Sequence, residues 1–344
     1  MKEHKVRRIG FLIAFFIIIA AAVTLVAAYL YAGTAAGSVT ERSAGEDYRR
    51  HYAFVCRDGQ DHLYRAIYDA AREEAALNND HLELIGDNLT TAYTKEERME
   101  IAVDAGVDGI IVEADESTQM QELIDRADAE GIPVITVGRD NTASARRSFV
   151  GFGYYDLGQS FGRLILRNAS DDPKDVLILM SADSEGSGQN IIFQGIRETL
   201  ERLDGSQYFN LTTMTVPENT AFGAEEAISS MFRGSDGMPQ IIVCLNEVYT
   251  TCVCQALVDY NRVGETIVYG FYENDTILSS IEKSIITATV TVNTEQMGRF
   301  CMEALEEYMS SGYVNEFFPA DIEVISGENV GERLDAGTEE DAGA

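Results

Sequence analysis

From residue 51 the chain alternates short apolar runs with longer stretches in which apolar positions recur every three or four residues. The runs fall at 51–56, 81–85, 109–112, 133–137 and 148–152, then at 176–180, 208–215, 240–245, 266–271 and 286–292. Between them the spacing is helical: Leu63, Ile67, Ala70 and Ala71, followed by Glu74, gather their apolar members on one face. Runs that are apolar on both faces suit parallel strands covered by helices. About ten such strands are more than one open twisted sheet usually holds. The pattern therefore predicts an α/β fold of two doubly wound parallel-sheet lobes.

The amino-terminal segment follows a different pattern. Residues 1–8 carry four Lys/Arg and one acid, and residues 9–32 carry no charge at all. As a helix those residues span roughly 36 Å, enough for a hydrocarbon core of about 30 Å. The charge bias puts the start in the cytoplasm and the body outside. A single-pass anchor at 9–32 is expected, with a cleavable signal cut near Thr34-Ala35-Ala36 as the alternative. No Cys follows the run to take a lipid. Residues 33–50, rich in Gly, Ala, Ser and charge, read as a tether, and residues 332–344 as an acidic, frayed tail.

Net charge sharpens the picture by exclusion. The chain totals −31, and the region after residue 50 holds 19 basic against 53 acidic residues. That surface repels phosphate backbones, so nucleic acid is excluded as a partner. Cys56, Cys244, Cys252, Cys254 and Cys301 form no disulfide framework for a chain of this size and read as small buried apolar residues.

In doubly wound sheets ligands bind beyond the carboxyl ends of the strands. The first five strand ends present Arg57, Asp58 and Asp61, then Glu113, Arg139 with Asp140, and Tyr154 with Tyr155. The later ends present residues 184–190 with Asn190, Asn246 with Glu247 and Tyr249, Tyr272 with Glu273, and Asn293. Tyrosines at such positions offer a broad face for stacking and a hydroxyl for orientation. The Gly151-Phe-Gly-Tyr-Tyr-Asp-Leu-Gly158 stretch has the wrong spacing for a dinucleotide fingerprint and reads as a tight strand–helix turn. Gly186-Ser-Gly188 lacks the Lys-Ser/Thr of a phosphate loop and reads as a flexible loop. There is no nucleophile elbow, no H-E-x-x-H and no Cys-x-x-Cys. His62 alone of the four histidines falls near the expected mouth, with Asp58 and Asp61 close by. Asp58, Glu247 and Glu273 suit an acid/base set on paper, but acceptors for ligand hydroxyls and helix caps need the same residues. The chain reads as a binding protein, not an enzyme, with no cofactor.

Val107-Asp-Gly-Ile-Ile-Val112 and Gly131-Ile-Pro-Val-Ile-Thr-Val-Gly-Arg139 resemble the type I periplasmic binding proteins of the sugar-binding, ribose-like subgroup. So do Phe149-Val-Gly151 with Asp156-Leu-Gly158, Gln194-Gly-Ile196, and Ala288-Thr-Val-Thr-Val-Asn293 leading to Gln296-Met-Gly298. The resemblance runs from 51 to 331 and implies two lobes that close on a ligand, joined by three crossings near 152–153, 292–293 and 320. The amino-terminal lobe would comprise 51–152 and 293–320, and the carboxy-terminal lobe 153–292 and 321–331.

The resemblance also implies site residues. Arg139 stands where the family clamps sugar hydroxyls, with Gly138 in place of the usual Asp; Asp61, Tyr64, Asn246 and Glu247 match polar or stacking positions. Elsewhere Tyr154 replaces an Asn, Asn190 an Arg, Tyr272 an Asp and Val292 a Gln. Losing hydroxyl partners disfavours an ordinary pentose or hexose and implies a ligand that is aromatic, larger or less hydroxylated. Partners implied are an ABC-type permease fed by the receptor or a sensor kinase that reads it; a degenerate protein-interaction module is the remaining alternative.

Overall fold

Most strands of the body lead into a helix, and the chain lays these units into two separate sheets. The computed structural model describes residues 48–87, 93–181, 187–216, 221–234 and 237–334. The expected anchor at 9–32 lies outside them; among the described residues no helix is long and apolar enough to cross a membrane.

The first half runs β1 (His51–Val55), α1 (His62–Leu77), β2 (His81–Leu84), α2 (Lys95–Asp104), β3 (Gly109–Val112), α3 (Thr118–Ala129), β4 (Val134–Val137) and β5 (Ser148–Gly151). The second runs α4 (Tyr154–Leu166), β6 (Lys174–Ser181), α5 (Ser187–Arg202), β7 (Phe209–Val216), α6 (Ala221–Arg233), β8 (Ile241–Cys244), α7 (Glu247–Asp259), β9 (Ile267–Phe271), α8 (Asp275–Glu282) and β10 (Ala288–Val292). Then come α9 (Thr294–Ser311), β11 (Phe317–Pro319) and β12 (Ile322–Ser326).

One six-stranded sheet has the order β11-β5-β4-β3-β1-β2, and the other β12-β10-β9-β8-β6-β7. All pairings are parallel except β10 with β12. The chain passes between the sheets three times: after β5, after β10, and between β11 and β12. The two α/β lobes read from the apolar pattern are therefore present. β11 and β12 were not anticipated. The first is three residues long and ends on Pro319, and the second, an edge strand, carries Glu323 among its apolar residues. Short or polar edge strands lack the apolar run that marks a central one.

Burial follows the double covering. β3, β4 and β8 are buried at every position. One apolar cluster fills the outer face of the first lobe, with Met99, Ile110 and Ile124, and another that of the second, with Ile228, Ile242 and Leu257. The third is continuous through the crossings, where Phe152, Val292 and Ala320 join it.

The glycines of the 151–158 stretch do more than make a turn. A Cβ on Gly158 would sit 2.2 Å from the Ile192 carbonyl oxygen and 2.9 Å from Gly195 Cα. The bare backbones let α4 and α5 touch, which accounts for a third glycine well beyond the turn.

Candidate functional site

The carboxyl ends of both sheets face a cleft with two adjoining cavities, of about 430 and about 210 Å³, that share Arg57 and Phe271. Into the larger project Arg57 after β1 and Arg139 after β4, opposed by Tyr154, Leu157 and Ile192 from α4 and α5. Phe152 and Leu245 complete its apolar wall. The smaller cavity gathers Asp61, Asn246, Glu247 and Tyr272.

Local chemistry fixes the polar side. Glu113, 2 % exposed, accepts the Arg57 backbone N–H at 2.8 Å. Burial holds its carboxyl above the usual range. Asp115 and Asp140 line the larger cavity but are already engaged, Asp115 by Lys95 and Asp140 by a bidentate Arg146 at 2.5 and 2.7 Å. Asp140 also accepts from the Thr136 hydroxyl at 2.6 Å. Arg57 and Arg139 are the two basic residues lining that cavity, beside Asp115, Glu116 and Asp140; a guanidinium's planar fork suits hydroxyl or carboxylate oxygens.

Gly138, with φ of +70°, sits where the family resemblance implies an aspartate. A Cβ there would lie 2.8 Å from the Tyr64 hydroxyl oxygen. Tyr64 fills the space of the missing side chain; it is 7 % exposed and lines neither cavity. Its ring packs against Gly138 and not into either cavity.

Other expected residues divide in the same way. Asn246 caps α7 through Tyr249 N–H at 2.8 Å, Asn293 caps α9 through Gln296 N–H at 2.8 Å, and Asp61 caps α1 through Tyr64 N–H at 3.2 Å. Asp61 and Asn246 reach the smaller cavity as well, whereas Asn293 reaches neither. Asp58 is exposed, accepts the Gln60 N–H at 2.9 Å and stands outside both. Asn190 is exposed and its neighbour Gln189 lines the cavity instead, its side-chain Oε1 accepting Ser181 N–H at 2.7 Å. Tyr155 turns away to donate to Glu198 at 2.8 Å. Glu273 accepts from Thr291 at 3.2 Å and lines neither cavity, so Asp58, Glu247 and Glu273 form no acid/base set.

Residues not foreseen are mostly phenylalanines. Tyr154, Phe152, Phe271 and Tyr272 form a row with successive ring centroids at 5.2, 6.1 and 6.5 Å, bordering both cavities. Phe152 and Phe271 end apolar runs, so they look like ordinary strand residues in the sequence. Gly188 belongs with them: a Cβ there would meet the Tyr154 ring at 2.8 Å, so the glycine admits the ring against α5. The rest of the glycine loop, 182–186, lies outside the described residues.

The lobes also touch directly. His62 Nδ1 lies 2.6 Å from Glu247 Oε1, and Asn274 donates to the same oxygen at 2.6 Å. The Tyr272 hydroxyl donates to the His62 carbonyl at 3.2 Å, and the Tyr154 hydroxyl to the Gly138 carbonyl at 3.1 Å. Tyr272 has φ of +67°, an arrangement worth roughly 1 kcal/mol of strain for a non-glycine. Its backbone is held by N–H to the Val290 carbonyl at 2.8 Å and by the Thr289 hydroxyl on its own carbonyl at 2.6 Å. That strain points a phenol across the cleft. Away from it, burial pushes the Cys56 thiol up to about 12 and Cys254 up to about 11, as suits packed rather than nucleophilic groups.

Comparison with known proteins agrees with the two-lobed fold. Residues 52–312 match the periplasmic binding protein domain. The ribose import binding protein RbsB of Bacillus subtilis (strain 168) is 23% identical over 239 residues, covering 66% of this chain and 71% of that protein. GanP, a glucose-galactose binding protein from Geobacillus stearothermophilus, superposes with a TM-score of 0.71 at 20% identity, over 83% of this chain and 99% of GanP. A chain of the XylFII-LytSN complex superposes with a TM-score of 0.69 at 20% identity, over 81% and 98%. With most of the body matched and both lobes in place, the chain belongs to the periplasmic binding protein domain family, with the type I fold.

Proposed function

We propose that the protein is an extracytoplasmic receptor that closes its lobes on one small, sugar-like molecule and presents the bound form to a membrane partner. The observation that carries this reading is the cavity of about 430 Å³, whose walls come from both lobes. A ligand there contacts Arg57 and Arg139 on one lobe and Tyr154 and Ile192 on the other, so its binding free energy favours the closed arrangement. Two guanidiniums beside a row of aromatic rings suit a ring with a polar edge and an apolar face, such as a pyranose or furanose with some hydroxyls replaced. Residues 9–32 hold the receptor at the membrane through the 33–50 tether.

Delivery to an ABC-type permease is supported by the likeness to a ribose import binding protein. Signalling is the second reading, supported by the likeness to XylFII, which was solved in complex with LytSN. A thermal-shift panel of pentoses, hexoses, deoxysugars and sugar acids tests the shared core of both. At a hundredfold excess over Kd a true ligand stabilises by about 2.7 kcal/mol. A panel without a single shift would instead favour the protein-interaction module.

A further inference from the structure

At the opposite rim of the first sheet from the cleft, a second constellation is assembled by strand register. β1 and β2 pair in parallel with His51 opposite His81 and Ala53 opposite Glu83. Side chains two apart on a strand share a face, so His81 and Glu83 point the same way, and His51 joins them through the pairing. His51 Nε2 lies 3.1 Å from Glu83 Oε2, and the two imidazole centroids are 5.1 Å apart. Among the described residues this is the one group of three His, Cys, Asp or Glu side chains whose ligand atoms all lie within 4.8 Å of one another.

We propose that His51, His81 and Glu83 bind a divalent transition-metal cation of the zinc type, clipping β2, the edge strand, to β1. Two imidazoles and a carboxylate are a ligand set that suits zinc, with bonds of about 2.0–2.2 Å and ligand atoms then roughly 3.4 Å apart. The three ligand atoms now lie within 4.8 Å of one another. His51 and Glu83 are 43% and 51% exposed, so a fourth position stays open to water. Asp108 accepts the His51 backbone N–H at 2.7 Å, which fixes the strand end and adds negative charge beside the cation. None of these residues lines the cleft.

The test is calorimetry and thermal unfolding of the untagged, metal-stripped full-length protein with Zn2+, alongside His51→Asn, His81→Gln and Glu83→Gln. One Zn2+ per chain is expected, with a rise in Tm, and each variant is expected to bind about tenfold more weakly or worse. The metal-free variants keep the Tm of the metal-free parent, which separates lost ligation from misfolding. Co2+ in place of Zn2+ is expected to give visible d–d bands without a thiolate charge-transfer band. No zinc-dependent heat or Tm rise, affinity unchanged in both histidine variants, or a thiolate band that assigns the ion to the cysteines would each overturn the proposal.

Discussion

The His62–Glu247 contact links the lobes through a titratable group, and its pH dependence follows from its geometry. The 2.6 Å approach of Nδ1 to Oε1 raises the His62 pKa above its ordinary value, chiefly through that hydrogen bond, with Asp61 and Asp275 adding negative charge nearby. A raised pKa in the contacted state means the contact's contribution is complete below about 6.5 and disappears as pH climbs through the raised value. His62 is 67% exposed and Glu247 20%, so solvent screening limits the gain to roughly 0.5–1 kcal/mol. The perturbation is His62→Ala, which spares the cavity walls and leaves the backbone carbonyl that accepts from Tyr272. Urea unfolding from pH 5 to 8.5 is expected to show the variant less stable than the parent by that amount at the acid end, the difference closing as pH rises. An NMR titration adds a second readout: Glu247→Gln is expected to return the His62 pKa toward about 6.5. A stability gap that widens with pH, or a His62 pKa indifferent to Glu247→Gln, would refute the reasoning.

Three further outcomes follow from contacts already described. Gly158→Ala drives a Cβ onto the Ile192 carbonyl and is expected to cost about 1–3 kcal/mol in urea unfolding; a neutral variant would mean that α4 and α5 are not in close contact. Tyr154→Phe removes the hydroxyl that reaches the Gly138 carbonyl and is expected to lose about 1 kcal/mol while keeping the ring wall, so ligand affinity should fall far less than in Tyr154→Ala. Buried thiols at Cys56, Cys244, Cys254 and Cys301 are expected to resist an aromatic disulfide reagent until the protein is unfolded; rapid native labelling at these positions would contradict their packing.

The sheets were legible because central parallel strands must be apolar on both faces, and β3, β4 and β8 carry that mark at every position. β11 and β12 were hidden because a three-residue strand ending on Pro319 and an edge strand with Glu323 have no such constraint. In the site, Arg57, Arg139 and Tyr154 were legible as strand-end residues, and all three line the larger cavity. Asn293 and Asp58 line neither cavity, and a helix cap or a local turn calls for the same short polar side chain at the same place as a ligand contact. Phe152 and Phe271 were concealed by looking like the ends of apolar runs. The partner of His62 stands 185 positions away, and no local pattern announces it.

The central claim is a single ligand site shared by the two lobes, with Arg139 among its principal donors. Isothermal titration of a sugar or sugar-like compound that stabilises the protein, into the parent and into Arg139→Ala, tests it most directly. The account predicts one molecule per chain, and affinity at least about tenfold weaker in the variant, as expected for the loss of a charged hydrogen bond, with unchanged unfolding. Equal affinity in parent and variant, or a stoichiometry of two, would contradict it.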